Sequence, residues 1–229
     1  MAFLEITNVD KIYGAKTAIE TYGLKNISLS IDEGEFVVLS GPSGSGKTTL
    51  LNMIGGLDNV TQGTITLDSV ELTSLSEAQL SKARLHDIGF VFQAYNLISV
   101  LTAFENIEYV MALQGIDKAA RHARVLEVAQ TLGIDALLDK RPDQMSGGQQ
   151  QRVAVARAVA SKPKLILADE PTANLDSKTA EDLMNMMARL NEEEKITIIF
   201  SSHDPMVIGK AKRSVKLKDG AIASNERHS

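Results

Sequence analysis

Gly41-Pro42-Ser43-Gly44-Ser45-Gly46-Lys47-Thr48 is a glycine-rich run that ends in a lysine and a threonine, and Thr49 follows it directly. The stretch fits the pattern G-x-x-x-x-G-K-[ST], a phosphate-binding loop that joins a buried strand to a helix. The nearly all-apolar segment 35–39 precedes it, and residues 48–54 have the apolar spacing of a helix. The sequence therefore predicts a strand, a phosphate-binding loop and a helix, in that order.

The residue types in this loop suit a nucleoside triphosphate. Glycines let backbone N–H groups turn towards phosphate oxygens, and the start of the helix adds its positive end. Lys47 would neutralise the β- and γ-phosphates, and the Thr48 hydroxyl would bind Mg2+. A chance glycine-serine turn is the plainer alternative, but the flanking strand and helix argue against it.

Outward from the loop, the chain has the pattern of an α/β core with a helical insertion. Segments 3–6 and 27–31 alternate apolar with polar residues, as half-exposed antiparallel strands do. From about residue 103 to 161 the spacing is helical. Strands return at 165–168 and 196–200 with a helix between them, which favours a parallel sheet.

A pair of carboxylates follows the apolar strand 165–168. Asp169 and Glu170 stand at the end of that strand, where ligands of open α/β sheets bind. Asp169 would hold Mg2+, and Glu170 would orient or deprotonate an attacking water. A simple strand cap would also explain an apolar run that ends in Asp-Glu. The phosphate-binding loop upstream favours the catalytic interpretation.

Ser146-Gly147-Gly148-Gln149 is a second candidate anion site. Two adjacent glycines open a helix there, and helix N-termini bind anions. In isolation such a peptide is usually a flexible turn with an N-cap. Followed by the basic residue Arg152 and then by the carboxylate pair, it resembles the signature of the ABC (ATP-binding cassette) family.

The resemblance to the ABC family implies an ATPase that works as a dimer. In that family the signature of one subunit covers the ATP held by the phosphate loop of the other. It thus implies a head-to-tail homodimer that binds ATP and Mg2+ and hydrolyses ATP. The residues that would contact the nucleotide of the partner subunit are Ser146, Gly147, Gly148, Gln149 and Asp176.

Four further positions match family motifs in the expected order. Gln93 matches the glutamine that contacts Mg2+ and water, and His203 matches the switch histidine that contacts the γ-phosphate. Asp176 lies in the loop that crosses to the other subunit. Tyr13 matches the aromatic that stacks on adenine, although Tyr22 could take that role. The resemblance implies catalytic Glu170, His203 and Gln93, Mg2+ ligands Thr48, Gln93 and Asp169, and ATP contacts Tyr13, Gly41, Pro42, Ser43, Gly44, Ser45, Gly46, Lys47, Thr48 and Thr49.

The implied fold is a P-loop NTPase of the ABC type. It has a mixed sheet core with an N-terminal antiparallel β subdomain and an inserted α-helical subdomain. We expect one nucleotide-binding domain over 1–229, with 1–92 and 162–229 forming the core and about 94–161 forming the helical subdomain that carries the signature.

Longer matches point to one branch of the family. The chain resembles the ATPases of the lipoprotein-release and macrolide-efflux group (LolD/MacB-like) in three stretches. They are Gly55-Gly56-Leu57-Asp58, the segment 89–93 and the segment 167–176. That branch implies a subunit that powers a membrane permease in lipoprotein or lipid release, or in efflux. An FtsE-like regulatory ATPase that gates a cell-envelope process is the alternative, and an ABC ATPase acting on nucleic acid is a third.

Two departures from the family pattern stand out. Met145 precedes the signature where leucine is commoner, a volume-conserving change that we expect to be harmless. The segment 14–23 is longer than expected between the adenine aromatic and the next strand, which leaves the adenine contact open.

Composition limits the remaining classes of function. The net charge of the 229-residue chain is -5, so we expect no nucleic-acid partner, because such binders usually carry a basic face. Cysteine is absent, which excludes disulfides and thiolate metal sites. We expect no signal peptide and no membrane span. The expected location is therefore peripheral, on the cytoplasmic face of the inner membrane and bound to integral permease subunits.

Overall fold

A six-stranded sheet forms the centre of the computed structural model, which describes residues 2–14, 20–209 and 211–228. All neighbouring strands run parallel except the pair at one edge. The strands, in order from that edge, are β10 (Ala221–Arg227), β9 (Arg213–Lys218), β3 (Phe36–Ser40), β8 (Thr197–Ser202), β7 (Leu165–Asp169) and β6 (Ile88–Phe92).

A second, antiparallel sheet is built largely from the N-terminal part of the chain. Its strands, in order, are β2 (Thr21–Ile31), β1 (Leu4–Tyr13), β4 (Gln62–Leu67) and β5 (Val70–Glu71). The first two strands are longer than the alternation of residues predicted. Register shifts after Ile6 and Val9 let the ladder continue through polar residues. Tyr13 therefore ends a strand, and residues 15–19 of the longer segment 14–23 lie outside the described residues.

Seven α-helices lie between the described strands. Helices α3, α4 and α5 pack on one another and form the helical insertion between β6 and β7. Helix α2 was not predicted from the sequence. Leu80 is its one buried residue, so the helix lacks the apolar spacing that indicates a buried face. The helices are α1 (Lys47–Ile54), α2 (Glu77–Asp87), α3 (Ala103–Leu113), α4 (Lys118–Leu132), α5 (Gly147–Ala160), α6 (Ser177–Glu194) and α7 (Pro205–Gly209).

Strand β3 joins two hydrophobic cores. Phe36 and Val38 pack into the core that contains the helical insertion. Val37 and Leu39 pack into the core shared with α1 and the antiparallel sheet. Alternate side chains of a strand point to opposite faces of its sheet. The strand that leads into the phosphate-binding loop is therefore fixed from both sides.

The observed architecture confirms the predicted fold class, a P-loop NTPase of the ABC type with antiparallel and helical subdomains. No helix within residues 2–14, 20–209 and 211–228 is both long and apolar enough to cross a lipid bilayer.

Candidate active site

Lys47 lies buried at the start of α1, beneath the phosphate-binding loop. Its side chain is 4% exposed, and its Nζ donates to the carbonyl oxygens of Gly41 at 2.8 Å and Pro42 at 3.1 Å. The same ammonium lies 3.3 Å from a carboxylate oxygen of Glu170. The loop thus encloses a positive charge that faces the position predicted for phosphate.

Two glycines let the loop pack against neighbouring strands. Gly41 has a φ of 143°, and a Cβ there would lie 2.3 Å from the carbonyl oxygen of Leu217 in β9. Gly46 has a φ of 104°, and a Cβ there would lie 2.8 Å from the carbonyl oxygen of Gly23 in β2. A side chain would be strained at either position. Contacts from both sheets therefore set the shape of the loop.

Asp169 ends β7 directly beside the start of α1. The Thr48 hydroxyl donates to its Oδ1 at 3.1 Å, and the Ser201 hydroxyl donates to the same oxygen at 2.7 Å. Sequence reasoning missed Ser201. The one signal for it is a pair of serines, Ser201 and Ser202, at the end of the apolar strand β8. Parallel pairing of β7 with β8 places Asp169 opposite Ser201.

Glu170 is held by groups from two segments of the chain, the start of α1 and the end of β8. Its backbone has a φ of 42°, in the left-handed region, and its N–H donates to the Ser201 hydroxyl at 2.9 Å. One carboxylate oxygen pairs with Lys47, and the other lies 3.2 Å from Nδ1 of His203. The structure therefore brings together Lys47, Glu170 and His203 at one end of the parallel sheet.

Both candidate adenine aromatics lie beside the phosphate-binding loop. Tyr13 and Tyr22 line one open cavity with Gly44, Lys47 and Glu170. Tyr13 is 42% exposed and Tyr22 is 49% exposed. The ammonium of Lys11 lies 5.0 Å from the centre of the Tyr13 ring. Both rings are exposed enough for a base to stack on them.

Gln93 lies at the same end of the parallel sheet as Lys47, Glu170 and His203, one residue beyond β6. Phe92 pairs with Asp169 across the parallel ladder, so Gln93 follows the strand next to that of the carboxylates. The side chain of Asn174 donates to the Gln93 carbonyl oxygen at 3.2 Å. Gln93 itself is exposed.

The signature residues form a separate cleft. Ser146 caps helix α5, since its hydroxyl accepts from the N–H of Gln149 at 3.3 Å. The Gln149 side chain accepts from the N–H of Ser146 at 2.9 Å, which completes a capping box. The first N–H groups of a helix have no partner within the helix. Gly147 and Gly148 occupy these positions, beside a side-chain cap that is already formed.

Asp176 lies on the same cleft, at the start of α6. Hydrogen bonds from the hydroxyl and the N–H of Thr179 hold the pKa of Asp176 below its usual value of 3.8. The cleft and the cavity next to the phosphate-binding loop have no lining residue in common. Within one chain, the signature and the loop therefore form two distinct surfaces.

The polar residues near Lys47 fit a magnesium ion. Mg2+ prefers hard oxygen ligands and usually takes only one or two from the protein, together with substrate phosphates and water. The Thr48 hydroxyl and the Asp169 carboxylate are such ligands and lie within 3.1 Å of each other.

The buried loop lysine, the strand-end carboxylates and the parallel sheet define a P-loop nucleoside triphosphatase. Residues 24–173 match the family model described as ABC transporter. The chain belongs to the ABC transporter family, in which it is an ATP-binding subunit and an ATPase.

Two relatives illustrate the sequence similarity. The uncharacterized ABC transporter ATP-binding protein MJ0796 of Methanocaldococcus jannaschii is 44% identical over 98% of this chain and 97% of its own length. The bacitracin export ATP-binding protein BceA of Halalkalibacterium halodurans is 43% identical over 97% of this chain and 87% of its own length.

Solved structures of relatives have the same fold. A dimeric, post-hydrolysis structure of MJ0796 bound to ADP and Pi superposes with a TM-score of 0.90, at 43% identity over 98% of both chains. The structure of cbiO1 from Clostridium perfringens, part of the ABC transporter complex cbiONQ, has a TM-score of 0.87 at 27% identity, over 99% of this chain and 88% of its own.

Proposed function

We propose that this ATPase closes around two ATP molecules as a head-to-tail homodimer and thereby powers a membrane permease. One observation carries the proposal: the signature cleft shares no lining residue with the cavity beside the phosphate-binding loop of its own chain. A second copy would bring Ser146, Gly147, Gly148, Gln149 and Asp176 to that loop. The dimer of the relative bound to ADP and Pi supports this arrangement.

The contacts of Glu170 suggest how ATP would switch the site on. Lys47 contacts the carbonyl oxygens of Gly41 and Pro42 and the carboxylate of Glu170. The β- and γ-phosphates would compete for the Lys47 ammonium and release the Glu170 carboxylate. Glu170 would then orient and deprotonate the attacking water. ATP binding and activation of the base are thus one event.

The remaining site residues would contact the γ-phosphate, the adenine base and the Mg2+ ion. His203 lies beside Glu170 and would contact the γ-phosphate, while the aromatic ring of Tyr13 or Tyr22 would stack on adenine. Thr48, Asp169 and Gln93 would hold Mg2+. The ion, when bound, supplies positive charge to the transferred phosphoryl group.

A test of the shared site uses Glu170→Gln. The variant should bind ATP, hydrolyse it at less than about one per cent of the wild-type rate, and accumulate as a dimer in light-scattering chromatography. A second substitution, Lys47→Ala, should abolish ATP-dependent dimerisation in the same background. Near-normal turnover of Glu170→Gln would show that another group is the base.

An apolar cleft between the core and the helical insertion supports a permease partner. Its rim exposes Leu57, Tyr109 and Leu113, which are 47%, 43% and 59% exposed. Phe90 and Phe92 stack at 5.7 Å within the same cleft. Large exposed apolar side chains that cluster mark interaction sites. A short cytoplasmic segment of an integral membrane protein, with an apolar face, fits this cleft.

Single-cysteine labelling tests that assignment, because the chain has no cysteine of its own. A photo-crosslinker on Leu113→Cys should join the protein to an integral membrane protein in cells. The same label on Val70→Cys, at a 49% exposed position on β5, serves as the control. Equal crosslinking from both positions would refute the cleft as the docking site.

Several further features complete the proposal. The chain would form one nucleotide-binding domain over 1–229, with 1–92 and 162–229 as the core and about 94–161 as the helical subdomain.

The chain would act at the cytoplasmic face of the inner membrane, in the lipoprotein-release and macrolide-efflux branch. The similarity to a bacitracin export ATP-binding protein favours the efflux arm. An FtsE-like regulatory ATPase predicts the same dimer without transport.

A further inference from the structure

The loop after Gln93 has a strained backbone and is held from outside. Tyr95 and Asn96 have φ values of 61° and 49°, in the left-handed region that residues other than glycine seldom adopt. The two terminal guanidinium nitrogens of Arg157 donate to this turn, Nη1 at 2.6 Å to the Asn96 carbonyl oxygen and Nη2 at 3.0 Å to that of Tyr95. The loop therefore keeps a conformation that contacts from α5 stabilise.

Within the part of the chain that the structure describes, Arg157 donates hydrogen bonds to carbonyl groups of the loop and not to a carboxylate. The side chain is half-buried, and burial lowers the pKa of its guanidinium with no acidic neighbour among the described residues to offset that cost. Arginine holds its donors in a rigid plane, so each terminal nitrogen meets one of the two adjacent carbonyl groups in a fixed geometry. The planar guanidinium thus sets the geometry of the contact to Tyr95 and Asn96.

Tyr95 makes a second contact with the same helix. A Cβ added to Gly147 would lie 2.7 Å from the Tyr95 hydroxyl, so the ring reaches the first turn of α5. Ten residues separate Gly147 from Arg157, about 15 Å along a helix. The loop is therefore tied to the signature helix both at its first turn and further along its length.

We propose that Arg157 and Tyr95 form a latch that makes Gln93 and the signature move as one body. The proposal rests on the proposed function, in which Gln93 serves the ATP of its own chain and the signature serves the ATP of the partner. Tyr95 lies two residues beyond Gln93, so a shift of α5 displaces Gln93 through the latch. Arg157 is then a positioning residue that couples the two ATP sites.

The test replaces Arg157 with Met, which keeps the length of the stem but not the donors. Misplacement of Gln93 should lower kcat by about ten- to hundredfold and raise the Mg2+ concentration for half-maximal activity several-fold. Affinity for ATP without Mg2+ should stay within about twofold of wild type. Arg157→Lys, which retains one contact, should fall between Met and wild type and provides the same readouts if Arg157→Met does not fold.

Arg124→Met is the matched control. Arg124 also donates to carbonyl groups of α5, those of Val159 and Ala160, each at 3.4 Å, but it makes no contact with the loop after Gln93. This variant should lose thermal stability without a change in the Mg2+ midpoint. A latch that is only structural would make Arg157→Met behave in the same way, and that result would overturn the proposal.

Gln93→Ala, measured in parallel, separates the latch from the proposed function. A low kcat for Gln93→Ala with normal kcat for Arg157→Met would refute the latch and leave the role of Gln93 intact. Normal kcat for Gln93→Ala would refute the role of Gln93 and the latch with it. A low kcat and a raised Mg2+ midpoint in both variants is the outcome that the latch predicts.

Discussion

Glu170, the proposed base, contacts Lys47 and His203 through its carboxylate. The motif around Asp169 and Glu170 made both residues predictable from sequence, as was Lys47. Ser201 was not, because a serine at the end of a strand is common and its partner depends on strand register. The structure places its hydroxyl between the Asp169 carboxylate and the Glu170 N–H. Glu170, the proposed base, is thus oriented by Ser201, a residue that lies outside the sequence motifs.

Removal of the Ser201 hydroxyl should slow hydrolysis. Ser201→Ala leaves the N–H of Glu170 without its acceptor, a loss worth about 1–3 kcal/mol for a buried group, and frees the carboxylate to turn. We expect kcat to fall about tenfold or more while KM for ATP changes less than about threefold.

Ser202→Ala is the control for this change. The Ser202 hydroxyl accepts from the N–H of Asp204 at 3.1 Å, so the variant loses a similar hydrogen bond away from Glu170. Steady-state ATPase kinetics of both variants check the prediction. An equal kcat for Ser201→Ala and Ser202→Ala would contradict it.

At the scale of elements, a side-chain cap starts each of the helices from α2 to α6, whereas Gly46, the N-cap of α1, provides none. The spacing of apolar residues predicted α3 and α5, and the capping signals agree with it. Helix α2 was missed, yet Ser76 and Gln79 form a capping box at its start, and that signal was present in the sequence. Strands β1 and β2 were predicted too short because polar residues continue the ladder. The spacing of apolar residues indicates segments that have a buried face, and it does not indicate segments that are largely exposed.

The N-cap of α6 should make stability depend on pH. Because hydrogen bonds from Thr179 lower the pKa of Asp176, the folded state binds the proton less readily than the unfolded state. The resulting stability is present above the ordinary pKa of 3.8 and is lost as pH falls through the lower folded value. The gap in melting temperature between wild type and Asp176→Asn should therefore shrink below that pH.

Asp176→Asn keeps an acceptor at the N-cap and removes the titrating group. Thermal melts of the nucleotide-free protein across the acid range measure the gap between the two proteins. A gap that stays constant through the acid range would show that the cap does not titrate as the hydrogen bonds imply.

At the scale of the whole molecule, the two proposed half-sites line different cavities of one chain. The sequence order of motifs implied both halves and the ABC-type fold by resemblance, whereas the strand, loop and helix around Lys47 predicted only a phosphate-binding loop. The separation between the signature cleft and the loop could not be predicted, because it depends on how the helical insertion packs on the sheet. That separation is the physical reason to expect a shared site.

Mixing two inactive variants tests the shared site most directly. Glu170→Gln disables the base of its own chain, and Ser146→Arg should disable the signature that serves the partner. In a mixed head-to-tail dimer one complete site remains, so an equal mixture should recover about a quarter of wild-type ATPase activity, since half of the dimers are mixed and each has one intact site of two. Activity no higher than that of the separate variants would contradict a site shared between subunits.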